Sequence, residues 1–131
     1  MSKSYTPAEI TQITGVGIHT LRYYERIGLL DPVPRALNGH RRYRELDIKR
    51  LDFLKRVKAT GMGIKEMLYY VELFRQGDST ITERREILEV HREKVREQRA
   101  QLDETLDLLD FKIENYVQRE NAENLQVELG N

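Results

Sequence analysis

Residues 19–26, HTLRYYER, hold the side chains in this chain that are best suited to binding a polyanion. Wound as a helix, the stretch places four polar side chains on one face, namely His19, Arg22, Tyr23 and Arg26. The apolar side chains fall toward the other side, where a core could hold Ile18, Leu21 and the ring of Tyr24. Arginine offers bidentate hydrogen bonds to phosphate or guanine, and tyrosine adds a hydroxyl and a flat ring. This pattern favours a nucleic-acid surface, although an ordinary surface helix with two arginines would share it.

Composition excludes several other kinds of chemistry. The 131 residues suffice for one core with an appendage, and the absence of cysteine excludes disulfides, thiolate metal sites and thiol chemistry. The three histidines are far apart, and no paired carboxylates mark a pocket, so an enzyme is not expected. No cofactor is expected either. Without a long apolar run or a signal peptide, we expect a cytoplasmic protein that does not enter the membrane.

Charge is divided unevenly along the chain. Residues 1–77 hold 14 Lys and Arg against 8 Asp and Glu, whereas residues 78–131 hold 8 against 14. The two parts therefore carry formal net charges of +6 and −6, and only the first is expected to face a polyanion.

The first part begins with the signals of a helix-turn-helix over residues 7–27. Thr6-Pro7-Ala8-Glu9 has the form of a capping box, which predicts a first helix over about residues 7–13 with Ala8, Ile10 and Ile13 as its apolar contributions. Gly15 is suited to the turn, and Gly17 is a weak N-cap for a second helix that ends near Ile27. Two short helices joined by a glycine-containing turn are typical of this motif.

Residues 31–44 predict a small β-hairpin wing. Pro32 and Pro34 rule out helix, Asn38-Gly39 is a strong hairpin signal, and the basic segment HRRYR follows it at residues 40–44. Such a hairpin could contact phosphates or lie along a minor groove, while a solvated basic loop is the simpler alternative.

Two further helices are predicted, over residues 45–59 and 64–76. Their expected apolar stripes are Leu46, Ile48, Leu51, Leu54 and Val57 in the first, and Ile64, Met67, Leu68, Val71 and Phe74 in the second. Lys58 and Lys65 flank the break between the two helices and form a second basic corner.

A last helix is predicted from Ile81 to about Tyr116, with Thr80-Ile81-Thr82-Glu83 as a capping box. A heptad spacing relates Leu88, Val95, Leu102, Leu109 and Tyr116, and Ile113 strengthens the far end. We interpret this helix as a coiled coil that forms a dimer interface. A charged helix that folds back on its own domain is the alternative, and a frayed tail is expected beyond it.

The run LRYYE at residues 21–25, followed by IGLL at 27–30, resembles the signature of the MerR family of bacterial transcription regulators. Pro32, Arg35, Asn38-Gly39, Arg41 and Tyr43 extend the resemblance, which covers about residues 4–117. Later stretches, such as TGM at residues 60–62 and LLDFK at 108–112, are similar to the short subgroup typified by the AdhR and NmlR regulators. That subgroup responds to aldehydes or nitrosative stress and carries no large ligand-binding domain.

The resemblance implies a mainly α fold with three segments. These are a winged-helix DNA-binding domain over residues 4–77, a coiled-coil dimerisation helix over 80–117, and a flexible tail over 118–131. Within the first, residues 45–76 would form a second wing.

The resemblance also implies roles for individual residues. Thr6 would meet phosphate, Arg22 would lie in the major groove with His19 and Thr20 near base edges, and Tyr23 and Tyr24 would contact the DNA backbone, although Tyr24 could equally be core. The full set predicted to bind DNA is Thr6, His19, Thr20, Arg22, Tyr23, Tyr24, Arg26, Arg41, Arg42, Tyr43, Lys58 and Lys65. The set predicted to form the dimer is Leu88, Val95, Leu102, Leu109, Ile113 and Tyr116.

The implied mechanism is that a homodimer binds a pseudo-palindromic promoter element in the bacterial nucleoid and distorts it, so that RNA polymerase can use the promoter. The alternative from another class is a winged-helix module that modulates a partner protein without binding DNA. The reactive cysteine of the subgroup would align at or near Arg56, so a thiol adduct is excluded here. If the chain senses a ligand directly, the expected site lies near Arg56, Tyr69, Tyr70 and His91, and the effector is unknown.

Overall fold

The computed structural model describes residues 3–129 and confirms a mainly α fold with a winged helix-turn-helix and a long C-terminal helix. The helices are α1 (Pro7–Thr14), α2 (Ile18–Ile27), α3 (Glu45–Ala59), α4 (Ile64–Arg75) and α5 (Ile81–Leu129), with a 3₁₀ turn at Asp78–Thr80. Two short strands, β1 (Ser4–Tyr5) and β2 (Tyr43–Arg44), pair antiparallel. Compact packing divides the chain into a first unit that ends at Leu88 and a second that begins at Glu89.

The local signals of the helix-turn-helix are confirmed. Thr6 caps α1, since its hydroxyl accepts from the Glu9 amide while the Glu9 carboxylate accepts from the Thr6 amide. Gly15 ends α1 with φ 75°, and Gly28 ends α2 with φ 93°. Both angles lie in the left-handed region that glycine adopts without steric cost. α1 is one residue longer than predicted, because it includes Thr14.

The predicted wing is a hairpin, with a loop one residue longer than the tightest kind. The Ala36 amide donates to His40 O at 2.8 Å, and the Arg42 amide donates to Pro34 O at 2.8 Å. The loop therefore spans residues 37–39, and Gly39 takes φ 84° at its last position. This is the arrangement of a type I turn followed by a glycine bulge.

The core of the first unit joins the helix-turn-helix to α3 and α4. Its fully buried members include Ile10, Leu21, Leu29, Leu51, Leu54 and Met67. The predicted stripes need correction at both ends, because Ile13, Leu46 and Phe74 are exposed while Leu73 is buried. Leu46 precedes Leu51 by five residues, which turns it about 140° around the helix and away from the core.

The last helix is longer than predicted. α5 does not end near Tyr116 but continues to Leu129, so most of the stretch predicted as a flexible tail is helical, and residues 130–131 lie outside the described residues. The predicted capping box at Thr80 is also wrong: its hydroxyl donates to Leu73 O and accepts from Arg84 Nε. Within residues 3–129, no helix is both long enough and apolar enough to cross a membrane.

Candidate nucleic-acid interface

α2 separates its side chains as predicted. His19, Arg22, Tyr23 and Arg26 are exposed, and the Arg26 guanidinium lies 5.5 Å from the centre of the Tyr23 ring. Leu21 is buried on the other side of the helix, whereas Ile18 is more exposed than predicted. α2 therefore offers one continuous polar face that carries two guanidinium groups.

The wing lies beside the start of that face. A cavity of about 150 Å³ separates α2 from the wing and is lined by Ile18, Arg22, Arg35, His40 and Arg41, among others. The Arg35 guanidinium donates to Gly39 O at 3.0 Å and so stiffens the hairpin. The structure thus brings Arg22 together with cationic side chains that lie 13 or more residues further along the chain.

Glu25, which the sequence analysis did not single out, holds the wing against α2. Arg41 Nε lies 3.2 Å from Glu25 Oε2, and the Tyr43 hydroxyl is 3.5 Å from the same oxygen. Burial, reinforced by the negative charge of Glu25, raises the pKa of Tyr43 to about 12, so its hydroxyl stays protonated and can donate to Glu25. Arg41 is therefore fixed in place rather than extending freely into solvent.

Two of the tyrosines predicted to bind DNA are core residues, and Arg42, whose DNA contact stays a prediction, also supports the fold. Tyr24 is 3% exposed and Tyr43 is 1% exposed, so neither ring is available to a nucleic acid. Tyr24 has its alternative role as a core residue. Arg42 donates to both the hydroxyl and the carbonyl of Ser4, at 3.1 and 3.2 Å, and so ties the wing to β1.

A second basic region adjoins the turn of the helix-turn-helix. Thr20, Lys55 and Lys58 line a cavity of about 370 Å³ together with the two turn glycines. Lys55 Nζ donates to Thr14 O at 3.0 Å, which ties α3 to the end of α1. Lys58 is exposed, as is Lys65 at the start of α4, and the predicted basic corner stays a prediction.

The other end of α2 is anchored by α4. Arg75 Nη2 donates to Gly28 O at 2.6 Å, and its Nε donates to Asp31 Oδ1 at 2.8 Å. Arg50 of α3 lies 3.5 Å from the second oxygen of Asp31. The hydrogen bond from Arg75 is the main cause of the lowered pKa of Asp31. These contacts span 44 and 47 residues, so helix periodicity gave no signal for them.

Arg56 and Tyr70 have separate surroundings. The Arg56 guanidinium pairs with Asp52 of the preceding turn at 3.1 Å and is largely exposed. The Tyr70 ring packs against Phe53, with 5.1 Å between ring centres, and the neighbouring Tyr69 donates to Glu83. Arg56 and Tyr70 therefore have different partners, and the ligand site expected near them stays a prediction.

The predicted dimerisation residues divide by exposure. Leu88 and Val95 are half-buried, whereas Leu102, Leu109, Ile113 and Tyr116 are exposed. In a straight helix these six fall within about 80° of arc. They therefore form one apolar stripe, called the seam below.

Comparison with known proteins identifies the family. Residues 5–67 match the family described as "MerR HTH family regulatory protein", and residues 48–110 match the family described as "MerR, DNA binding". An uncharacterized HTH-type transcriptional regulator of Haemophilus influenzae is 37% identical over 113 residues, which cover 86% of this chain and 84% of that protein. The transcriptional regulator AdhR of Bacillus subtilis is 40% identical over 88 residues, which cover 67% of this chain and 63% of AdhR.

A solved structure gives the same result. HiNmlR, described as a MerR family regulator lacking the sensor domain, was crystallised bound to promoter DNA. Its chain is 37% identical to this one, with a TM-score of 0.78, and the match covers 87% of this chain and 90% of HiNmlR. The chain belongs to the MerR family and is a DNA-binding transcriptional regulator.

Proposed function

We propose that this chain binds a pseudo-palindromic promoter element as a homodimer and distorts that DNA to control transcription by RNA polymerase in the bacterial cytoplasm. The observation that carries the proposal is the cationic groove between α2 and the wing, where Arg22 and Arg41 line one cavity. α2 is the helix that would enter a major groove, with Arg22, His19 and Thr20 facing base edges.

The dimer follows from the seam on α5. Four of its apolar side chains, from Leu102 to Tyr116, are exposed in the single chain. A long amphipathic helix with such a stripe is stabilised by packing against another helix. A symmetric pair along α5 would present two copies of α2, and a two-fold protein matches a two-fold operator.

The distortion follows from where the cations lie. Arg41 belongs to the wing at one end of α2, and Lys58 lies beside the turn that precedes α2. Contacts to phosphates from both regions would hold the backbone of each half-site and set its orientation. The centre of the element would then bend or untwist to fit the dimer, at a free-energy cost that depends on its sequence.

Three linked measurements test the proposal. Genome-wide mapping of bound sites should give a two-fold symmetric motif, and light scattering should give the mass of two chains. Transcription in vitro from a mapped promoter should then change when the protein is added. Arg22→Ala serves as the variant that lacks a base contact, with Arg96→Ala of α5 as its matched control.

The contrary outcomes point to different errors. Bound sites without two-fold symmetry would contradict the homodimer on a palindrome. Failure to bind any mapped fragment, combined with co-purification of a partner protein, would favour the winged-helix interaction module instead. Symmetric binding that leaves the DNA unbent, measured by circular permutation of the site, would contradict the distortion alone.

A further inference from the structure

A second cavity, separate from the cationic groove between α2 and the wing, lies between α3 and α4. Its volume is about 320 Å³, within the range of small-molecule sites. Leu46, Phe53, Tyr70, Val71 and Phe74 line its apolar part. Two of these, Leu46 and Phe74, are exposed apolar side chains at its edge. The cavity is therefore open to solvent and belongs entirely to the first compact unit.

The apolar part is built from flat rings. Phe53 and Tyr70 pack with 5.1 Å between ring centres and 34° between their planes. Phe74 is 48% exposed, and the guanidinium groups of Arg50 and Arg84 lie 5.0 and 5.2 Å from its ring centre. Aromatic surfaces in this arrangement favour a planar aromatic guest, which adds offset or tilted ring contacts to simple burial.

The lining holds two carboxylates, Asp31 and Asp47, and two cations, Lys49 and Arg50, and the carboxylates already have close partners. Asp31 accepts from Arg75 at 2.8 Å, and Asp47 accepts from the Arg44 amide at 2.8 Å, so both carboxylates are engaged by groups of their own chain. Arg50 lies 5.0 Å from the centre of the Phe74 ring, and its ion pair with Asp31 is longer, at 3.5 Å. Lys49, on the exposed side of α3, is the second cation of the lining.

We propose that this cavity binds a small planar aromatic carboxylate. The rings would pack against Phe53, Tyr70 and Phe74, and the carboxylate would accept hydrogen bonds from Arg50 and ion-pair with Lys49. Bidentate recognition of a carboxylate suits the guanidinium of Arg50 better than its present single contact with Asp31.

The same contacts connect the cavity to DNA binding. Asp31 is shared by Arg50 and Arg75, and Arg75 also donates to Gly28 O at the end of α2. A guest carboxylate that binds Arg50 would break the Arg50–Asp31 pair, so that Asp31 would pair with Arg75 alone. The contact of Arg75 with Gly28 O at the end of α2 would then change. This second step rests on the DNA-binding function, whereas occupation of the cavity does not.

The test uses 2-naphthoate as the probe, with the full chain. Because the chain has no tryptophan, naphthoate fluorescence can be followed without an indole background. We expect saturable binding, with methyl resonances of Leu46 and Val71 shifting in ¹H–¹³C spectra while those of Leu106 in α5 stay in place. The neutral 2-naphthamide should bind about tenfold or more weakly, as expected for the loss of a charge-assisted hydrogen bond.

Variants separate the cavity from other surfaces. Arg50→Gln and Lys49→Gln should each weaken 2-naphthoate binding, with Arg50→Gln giving the larger loss, and Phe74→Ala should weaken naphthoate and naphthamide alike. Arg96→Gln, which removes an exposed cation of α5, is the matched control and should bind as the parent does. Circular dichroism of each variant shows whether it has folded.

Two results would overturn the site. One is no saturable binding by the parent chain, as would occur if another surface already fills the cavity. The other is binding that shifts Leu106 rather than Leu46 and Val71, or that is unchanged in both Lys49→Gln and Arg50→Gln. Binding at the cavity with no change in operator affinity would overturn the connection to α2 while leaving the site supported.

Discussion

Apolar side chains are buried in the first compact unit but exposed in the part of α5 beyond Leu88. In the first unit, Ile10, Leu21 and Leu51 are fully buried. In the seam of α5, Leu102 and Leu109 are 65% and 47% exposed. Exposed apolar patches on this scale mark surfaces that bind something. The first unit therefore makes its own core, whereas α5 leaves its seam exposed, which is the surface that the proposed dimer would cover.

Charged residues differ between the two regions in a parallel way. In the first unit, Glu25 pairs with Arg41 across 16 residues of chain, and Asp31 pairs with Arg75 across 44. In α5, Arg96 pairs with Glu93 only three residues away. Long-range pairs fix the relative positions of elements, while pairs within one helix add only a few tenths of a kcal/mol to it. Charge in the first unit thus helps to position the groove.

Charging the seam should have the largest effect. Leu102→Glu combined with Leu109→Glu places four carboxylates in the proposed dimer interface, and burying them unpaired is very unfavourable. We expect monomers by light scattering. Operator affinity should fall by about 3 kcal/mol or more, which is roughly a hundredfold.

A matched variant tests whether the seam itself matters. Leu108→Glu with Phe111→Glu adds the same charge to the same segment, but those positions lie about 120° to 180° around the helix from Leu102. This variant should remain dimeric. If it dissociates and the seam variant does not, the interface has been assigned to the wrong side of α5.

Alanine substitutions should distinguish a core formed within one chain from an interface between two chains by their effect on the free energy of unfolding. Leu51→Ala should lower the free energy of unfolding by about 2–5 kcal/mol, because it leaves a cavity in a closed core. Leu102→Ala removes an exposed side chain, so its cost should appear only through the dimer and should change with protein concentration. Urea unfolding at two concentrations measures both. If the cost of Leu51→Ala changed with protein concentration while that of Leu102→Ala did not, the core and the seam would have been assigned the wrong way round.

Removing an arginine should affect DNA binding in the first unit but not in α5. Arg22→Ala should cost about 1–3 kcal/mol of operator affinity and relax the preference at one position per half-site. Arg41→Ala should weaken all sequences alike and lower the salt slope by about 0.9 per lost phosphate contact. Arg96→Ala in α5 should change neither, and binding titrations at several salt concentrations on operator and non-operator DNA would detect any exception.

Local features were predictable from sequence because their causes are local. The capping box at Thr6 and the glycines that end α1 and α2 depend on neighbouring residues, and the structure confirms them. The bounds of α3 were also predicted correctly. α5 ends later than predicted, because polar composition alone does not end a helix and residues 81–129 contain neither proline nor glycine.

The candidate site was predictable only in part. The exposed face of α2 follows from helix periodicity, so His19, Arg22, Tyr23 and Arg26 were placed correctly. Burial of Tyr43 and the pairing of Arg42 with Ser4 depend on β1, which is 38 residues from Arg42 and two residues long. A tyrosine or arginine suits either a core edge or a phosphate, and only tertiary contacts decide between them.

The last prediction concerns pH and has the smallest expected effect. Arg75 lowers the pKa of Asp31 below its usual value of about 3.9, so the ionised carboxylate stabilises the folded state above about pH 4. Protonation removes that contribution as the pH falls through the lowered pKa. Asp31→Asn should therefore destabilise the chain by about 1 kcal/mol or less near neutral pH, since the pair is partly exposed. The gap from the parent should shrink below about pH 4.

Asp107→Asn in α5 is the matched control and should stay within about 0.5 kcal/mol of the parent. Urea unfolding across this pH range measures both gaps, and an Asp31→Asn gap that widened in acid would mean that Asp31 is not held by Arg75.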